Sequence, residues 1–253
     1  MAPGEHRAFG AWASGHPIRF SLLVYLGFWA LAFGCRLPLP ASSLEERAQV
    51  FQALAALLSI GLLALLGWWR RVGFRQPRDL HVVVVPVVFL ILAPMLGGVE
   101  LPAPTALGSL ILGVAITAWS EEVLFRGIAW HALLPTGLPR AVALTSVLFG
   151  SLHLARVALG GSLEDVLAIA IATTLGGIGY AGLRHRTGSI WPVIAFHAAF
   201  NLTGDITHPE RVPGLILFLS VAVTLGLAAY GLFLLRRPSG AHAAADTSAV
   251  AVK

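Results

Sequence analysis

Eight apolar stretches, each close to the length of a bilayer crossing, recur along the chain at about 17–34, 48–69, 81–98, 105–128, 140–157, 163–183, 190–206 and 213–235. A spanning helix needs roughly 20 mostly apolar residues. Inside a bilayer every backbone N–H and C=O must find its partner within the protein, so a chain built this way folds as helices or as a closed barrel. Runs of this length leave the helix: the expected fold is all-α, a polytopic membrane bundle of about eight transmembrane helices. Composition agrees, since 57% of the 253 residues are hydrophobic and only 11% charged, too few charges to cover a soluble domain of this size. Connections such as "RQPRD" and "GGVELPAP" are short and rich in turn formers, so no soluble domain is inserted.

The net charge of +5 comes from sixteen arginines and one lysine, Lys253. They fall mostly between the apolar runs, which argues for topology signals and against a nucleic-acid partner. Alternate ends carry Arg7 and Arg19, then Arg70, Arg71, Arg75 and Arg78, then Arg126 and Arg140, then Arg184 and Arg186, then Arg236 and Arg237. The other ends hold fewer arginines, offset by acids: Arg36 and Arg47 with Glu45 and Glu46, Arg156 with Glu164 and Asp165, Arg211 with Asp205 and Glu210. Both termini are therefore expected in the cytoplasm. The preference for arginine over lysine and the abundance of alanine are associated with GC-rich bacteria, so the expected location is a bacterial inner (plasma) membrane. Cys35 is the only cysteine, which excludes an internal disulfide and a cysteine-rich metal site. "GIGYAG" (Gly177–Gly182) fits a dinucleotide-binding pattern, but that pattern has meaning only between a strand and a helix. Within a membrane helix, glycines at this spacing let helix backbones approach closely.

Two of the twelve acidic residues, Glu121 and Glu122 in "AWSEEVLFRG", lie within an apolar run, as do His153 and His197 among the nine histidines. A charge at the centre of a membrane helix costs about 2.5–3.5 kcal/mol on the insertion scale, so such residues face a protein interior or a wet cavity. Glu122 and Arg126 are four apart and stack on one helix face. His197 and Asn201 share the same spacing, and so do Phe149 and His153. Three helices can thus aim Glu121, His153, His197 and Asn201 at one point. Their depths agree if the fourth helix continues past Arg126 to about Leu134, with Gly137 as its stop. His131, Trp119 and Trp191 read as interfacial or packing residues, Arg156 as a snorkelling one, and Asp205 and His208 as solvated.

A carboxylate beside a histidine can bind and deprotonate water. A second histidine and an asparagine amide can donate to a developing oxyanion. These are the parts of an amide hydrolase. The same Glu121, His153 and His197 are also candidate ligands for a divalent metal such as zinc, which would activate the water instead. No organic cofactor is indicated. Two other classes stay open: a transporter whose Glu121, His153 and Arg126 relay protons, and a membrane partner without catalysis. The chain lacks H-E-x-x-H, G-x-S-G and G-x-G-D motifs of other intramembrane proteases.

"EEVLFR" is E-E-x-x-x-R, "FGSLH" is F-x-x-x-H and "HAAFN" is H-x-x-x-N. In this order and spacing they resemble the CPBP family, which holds the CAAX-processing (type II) prenyl endopeptidases and bacteriocin-immunity relatives. The resemblance covers about Gly108–Gly204. It implies an intramembrane endopeptidase, often labelled a metalloprotease, that cuts near the C-terminus or membrane anchor of membrane-associated proteins. By it, Glu121 and His153 would activate water, His197 and Asn201 would stabilise the oxyanion, and Glu122 and Arg126 would support them. The implied partners are a membrane-anchored or C-terminally hydrophobic protein substrate and the lipid bilayer. The organisation expected is three N-terminal helices in 1–103, a catalytic core in 104–206, a last helix in 207–237 and a disordered tail in 238–253.

Overall fold

The computed structural model describes residues 3–34, 44–159, 162–207 and 213–237. The expected disordered tail, Cys35 and His208 lie outside them. The helices are α1 (Pro3–Gly15), α2 (Pro17–Gly34), α3 (Leu44–Leu66), α4 (Val84–Gly97), α5 (Pro104–Glu122), α6 (Trp130–Leu133), α7 (Leu138–Ser151), α8 (Leu163–Thr187), α9 (Trp191–Ile206) and α10 (Pro213–Leu235). No strand occurs among the described residues; a single antiparallel bridge joins Val99 to Thr207. The protein is an all-α integral membrane bundle. Each of the eight apolar runs is helical, and six of the helices are long and apolar enough to cross a membrane. The helices at 84–97 and 191–206 are shorter, and α1 is an amphipathic addition that the apolar-run count does not reach.

The fourth apolar run behaves as its polar residues require. One uninterrupted helical path covers Pro104–Thr136, 33 residues. Pro104 occupies its first turn, where a missing N–H costs nothing. Gly137 ends it with φ 105°, a conformation that L side chains rarely adopt. Between α5 and α6 the path widens into a π-helical segment, Val123–Ala129, carrying Arg126 and buried throughout. Arg126 is therefore inside the protein. The fifth apolar run differs from expectation at one end: α7 stops at Ser151 and continues as a 3-10 turn over Leu152–Leu159, which holds His153.

Helix α8 starts on a cap, with Ser162 Oγ accepting from the Asp165 N–H at 3.1 Å. Glu164 and Asp165 in its first turn and Arg184 and Arg186 in its last complement its dipole. The "GIGYAG" glycines pack helices, as their position suggests: a Cβ on Gly182 would lie 2.6 Å from the backbone of Gly231 in α10, and one on Gly179 would lie 2.9 Å from the Leu227 carbonyl.

The connections gather into two opposite ends. At one, Arg78 N–H donates to Thr187 O (2.9 Å), Ile190 N–H donates to Gly73 O (3.0 Å) and Arg186 pairs with Asp79 at 3.1 Å. The α6–α7 turn joins this end through the edge contact of His131 with Trp68, 4.8 Å between centroids. Arg70, Arg71, Arg75, Arg78, Arg140, Arg184, Arg186, Arg236 and Arg237 all belong here, with Asp79 their acidic companion among the described residues. At the other end Glu100 N–H donates to Ile206 O at 3.0 Å. Among the described side chains the charges there are Glu100, Arg156, Glu164, Asp165 and Asp205.

Candidate active site

Glu122 is fully buried, and a single oxygen of its carboxylate serves two partners. Arg126 Nη1 donates to Glu122 Oε1 at 3.1 Å from the next turn of the same path. His197 Nδ1 lies 2.7 Å from the same oxygen, reaching it from α9. The sequence spacing shows the first contact but not the second. With Nδ1–H given to Glu122, His197 turns Nε2 towards Glu121, 3.8 Å from its Oε2. Glu122 thus holds one nitrogen of the imidazole and Glu121 stands near the other, as a carboxylate commonly fixes a functional histidine's orientation.

Arg126 would be an expensive cation to bury on one ion pair alone. Its remaining guanidinium nitrogens Nε and Nη2 have no hydrogen-bond partner among the described residues. They face aromatic rings instead: the guanidinium carbon lies 4.1 Å from the Phe149 centroid and 5.1 Å from that of Tyr180. Desolvated cation–π contacts of this kind contribute about 2 kcal/mol. Gly177 makes the space, because a Cβ there would sit 2.9 Å from Arg126 Nη2. The π-helical widening presents the Arg126 carbonyl to Arg184 Nε, which donates to it at 3.2 Å. Such π segments are frequent at functional sites.

The rings that hold Arg126 also frame the histidines. Phe149 stands edge-on to His197 (5.9 Å, 90°) and to His153 (5.9 Å, 77°). Tyr180, buried, lies 5.3 Å from His197 between ring centroids. His153 is half-buried, its Nδ1 3.4 Å from Thr173 Oγ1 of α8. Gln52 of α3 approaches from a further helix: its carbonyl accepts from Ser120 Oγ, next to Glu121, at 2.9 Å. Tyr180 and Gln52 lie outside the three sequence motifs. Gln52 carried a signal nonetheless, as an amide within an otherwise apolar run.

A cavity of about 880 Å³ reaches this cluster; Phe149, His153, Tyr180, His197 and Asn201 are among its lining. Arg156 and Asp205, expected to be a snorkelling and a solvated residue, also line it. Glu121 stands just behind this wall with 13% of its side chain exposed. So the bundle clusters Glu121, Glu122, Arg126 and His197, with His153 and Asn201 lining the same cavity as His197. The three proposed metal ligands are not gathered into one coordination shell. Among the described residues no group of three or more His, Cys, Asp or Glu is placed to hold a metal ion. Trp119 and Trp191 pack, as expected, in a cluster with Phe74.

Residues 102–203 match the family of Type II CAAX prenyl endopeptidase Rce1-like proteins. The matched segment contains all seven motif residues, Phe149 included, together with Thr173, Gly177 and Tyr180. That match, over the segment that carries the motifs, supports a CPBP-family intramembrane protease. Helices α1–α4 and α10 lie outside it. No match to the chain is found among curated proteins or solved structures.

Proposed function

We propose that the protein hydrolyses a peptide bond within the membrane, near the C-terminus or anchor of a membrane-associated protein, using water activated by Glu121. The observation that carries this reading is the Glu121–His197–Glu122 arrangement, with His197 on the inner wall of the cavity, within the segment that matches the endopeptidase family.

In this mechanism Glu121 takes a proton from a water held between it and His153, which lines the cavity. General-base assistance of this sort contributes roughly 10²–10⁴-fold. The hydroxide adds to the scissile carbonyl. His197, with Nδ1–H locked on Glu122, presents Nε2; carrying a proton there, it donates to the oxyanion together with the Asn201 amide one helical turn further along α9. Loss of one such donor costs about 2.7–4 kcal/mol in a characterised hydrolase. Glu121 then returns its proton to the leaving amine as the tetrahedral intermediate collapses. Glu122 and Arg126 act through His197 and are positioning residues.

The test compares C-termini of membrane proteins in cells carrying the wild type, a deletion, or Glu121→Gln. Proteins that keep their C-terminal segments in both the deletion and Glu121→Gln support the reading and name the substrates. Identical termini in wild type and Glu121→Gln cells, with a phenotype in the deletion alone, would sink it.

A further inference from the structure

The cavity has a direction. Its inner wall, Phe149, Tyr180 and His197, is buried, whereas Ala106, Ser109, Arg156, Gly204 and Asp205 in its lining are exposed. Those exposed residues sit on the first two turns of α5, on the 3-10 turn after α7 and on the last turn of α9. All three belong to the end of the bundle where Glu100 meets Ile206. The arginine-rich end is closed over the site by the opposite connections: Arg75 Nε donates to Gly188 O at 2.6 Å, Ser189 Oγ donates to Arg75 O at 2.7 Å, and Arg184 reaches Arg126 O.

Positive charge in short connections marks the cytoplasmic side of a membrane protein. Applied to this bundle, it places the closed, arginine-rich end in the cytoplasm and the cavity mouth on the opposite face. We propose that the cavity opens to the non-cytoplasmic side, and that the substrate is an exported protein whose anchoring segment enters from that side. The substrate part rests on the protease reading above; the sidedness does not.

The depth of the site limits what can reach it. His197 lies nine residues inside the end of α9 at Ile206, about 14 Å at 1.5 Å per residue. About four residues of extended chain are needed to span that distance. The scissile bond therefore lies a few residues inside the membrane-entering segment, in a stretch able to unwind, and a folded soluble loop cannot present it.

Sidedness is read by single-cysteine labelling in a Cys35→Ser background, using the full-length protein in sealed membrane vesicles of defined orientation and a membrane-impermeant maleimide. Gly204→Cys adds its side chain in open space, and Ser109→Cys samples the opposite side of the mouth. Arg140→Cys, exposed at the arginine-rich end, reports the other face. Expected is at least tenfold stronger labelling of positions 109 and 204 in right-side-out than in inside-out vesicles, with position 140 reversed. Labelling of 109 and 204 only from the cytoplasmic face overturns the proposal, and so does no labelling of either after permeabilisation. Labelling from the outer face combined with termini unchanged by Glu121→Gln would overturn the substrate class while the sidedness stood.

Discussion

The two histidines of the cavity are held in opposite ways. His197 sits in the middle of a regular α-helix, is buried, gives one nitrogen to Glu122 at 2.7 Å and is flanked by the rings of Phe149 and Tyr180. His153 follows the end of α7 on a 3-10 turn, is half-buried, and has a 3.4 Å contact with Thr173 as its side-chain hydrogen bond. The first group is set in place before any ligand arrives, while the second can adjust by small changes in a turn whose own hydrogen bonding is weak. Fixing His197 requires a buried Glu122 and a buried Arg126, a tight charge cluster that is costly unless every member is partnered. The neutral contact at His153 requires nothing comparable.

Removing Glu122 should break the contrast most severely. Glu122→Ala takes the acceptor from both Arg126 and His197 and leaves a guanidinium buried among rings. A loss of about 3–5 kcal/mol is expected, read from denaturation of the purified protein in detergent. A change below about 1 kcal/mol would show that the cluster does not rely on this carboxylate.

The histidines themselves give the sharper comparison. His197→Ala should abolish proteolysis and lower stability by about 1–3 kcal/mol, because a buried acceptor loses a donor. His153→Ala should abolish proteolysis and leave the denaturation midpoint nearly unchanged. Equal stability losses in the two variants would remove the distinction between a preset and an adjustable side.

Steric pressure on the looser side should come next. A Cβ on Gly150 would overlap Thr174 and lie 2.5 Å from the Ala170 carbonyl of α8, so Gly150→Ala must push the end of α7 outward, carrying His153 with it. Overpacking of this kind costs about 1–3 kcal/mol, and the processing rate should fall further than stability alone explains.

The smallest effect is expected at Thr173. Thr173→Val keeps the shape and removes the hydroxyl near His153, a loss of about 0.5–1.5 kcal/mol that should appear as a severalfold slower processing rate with unchanged folding. Full activity in Thr173→Val would mean that His153 is positioned by its backbone and Phe149 alone.

Much of this site could be read from the residues in order. Glutamates within an apolar run cannot face lipid, and the four-residue spacing from Glu122 to Arg126 stacks them on any helix. The same depth argument carried the fourth helix beyond Arg126 towards Gly137, as the uninterrupted path Pro104–Thr136 shows. What escaped is the partner across the bundle. That Glu122 holds His197 depends on how α5 and α9 are rotated against each other, and 75 residues separate the two side chains. The π-helical widening escaped too, because it answers to Arg184 and to the packed 67–73 connection and not to any local preference of "VLFRGIA". His153 left the regular helix for a similar reason: its neighbours on α8 set the geometry of its turn.

The sequence by itself determined the membrane helix class, the polar residues that had to be hidden and the motifs within the family-matched segment. Only the tertiary structure decided which histidine is locked, which rings shelter Arg126 and which end of the bundle the cavity faces. Helical spacing is a local, periodic property that one chain segment carries alone. Contacts between helices depend on rotation and depth of packing, which arise only when the segments share one interior.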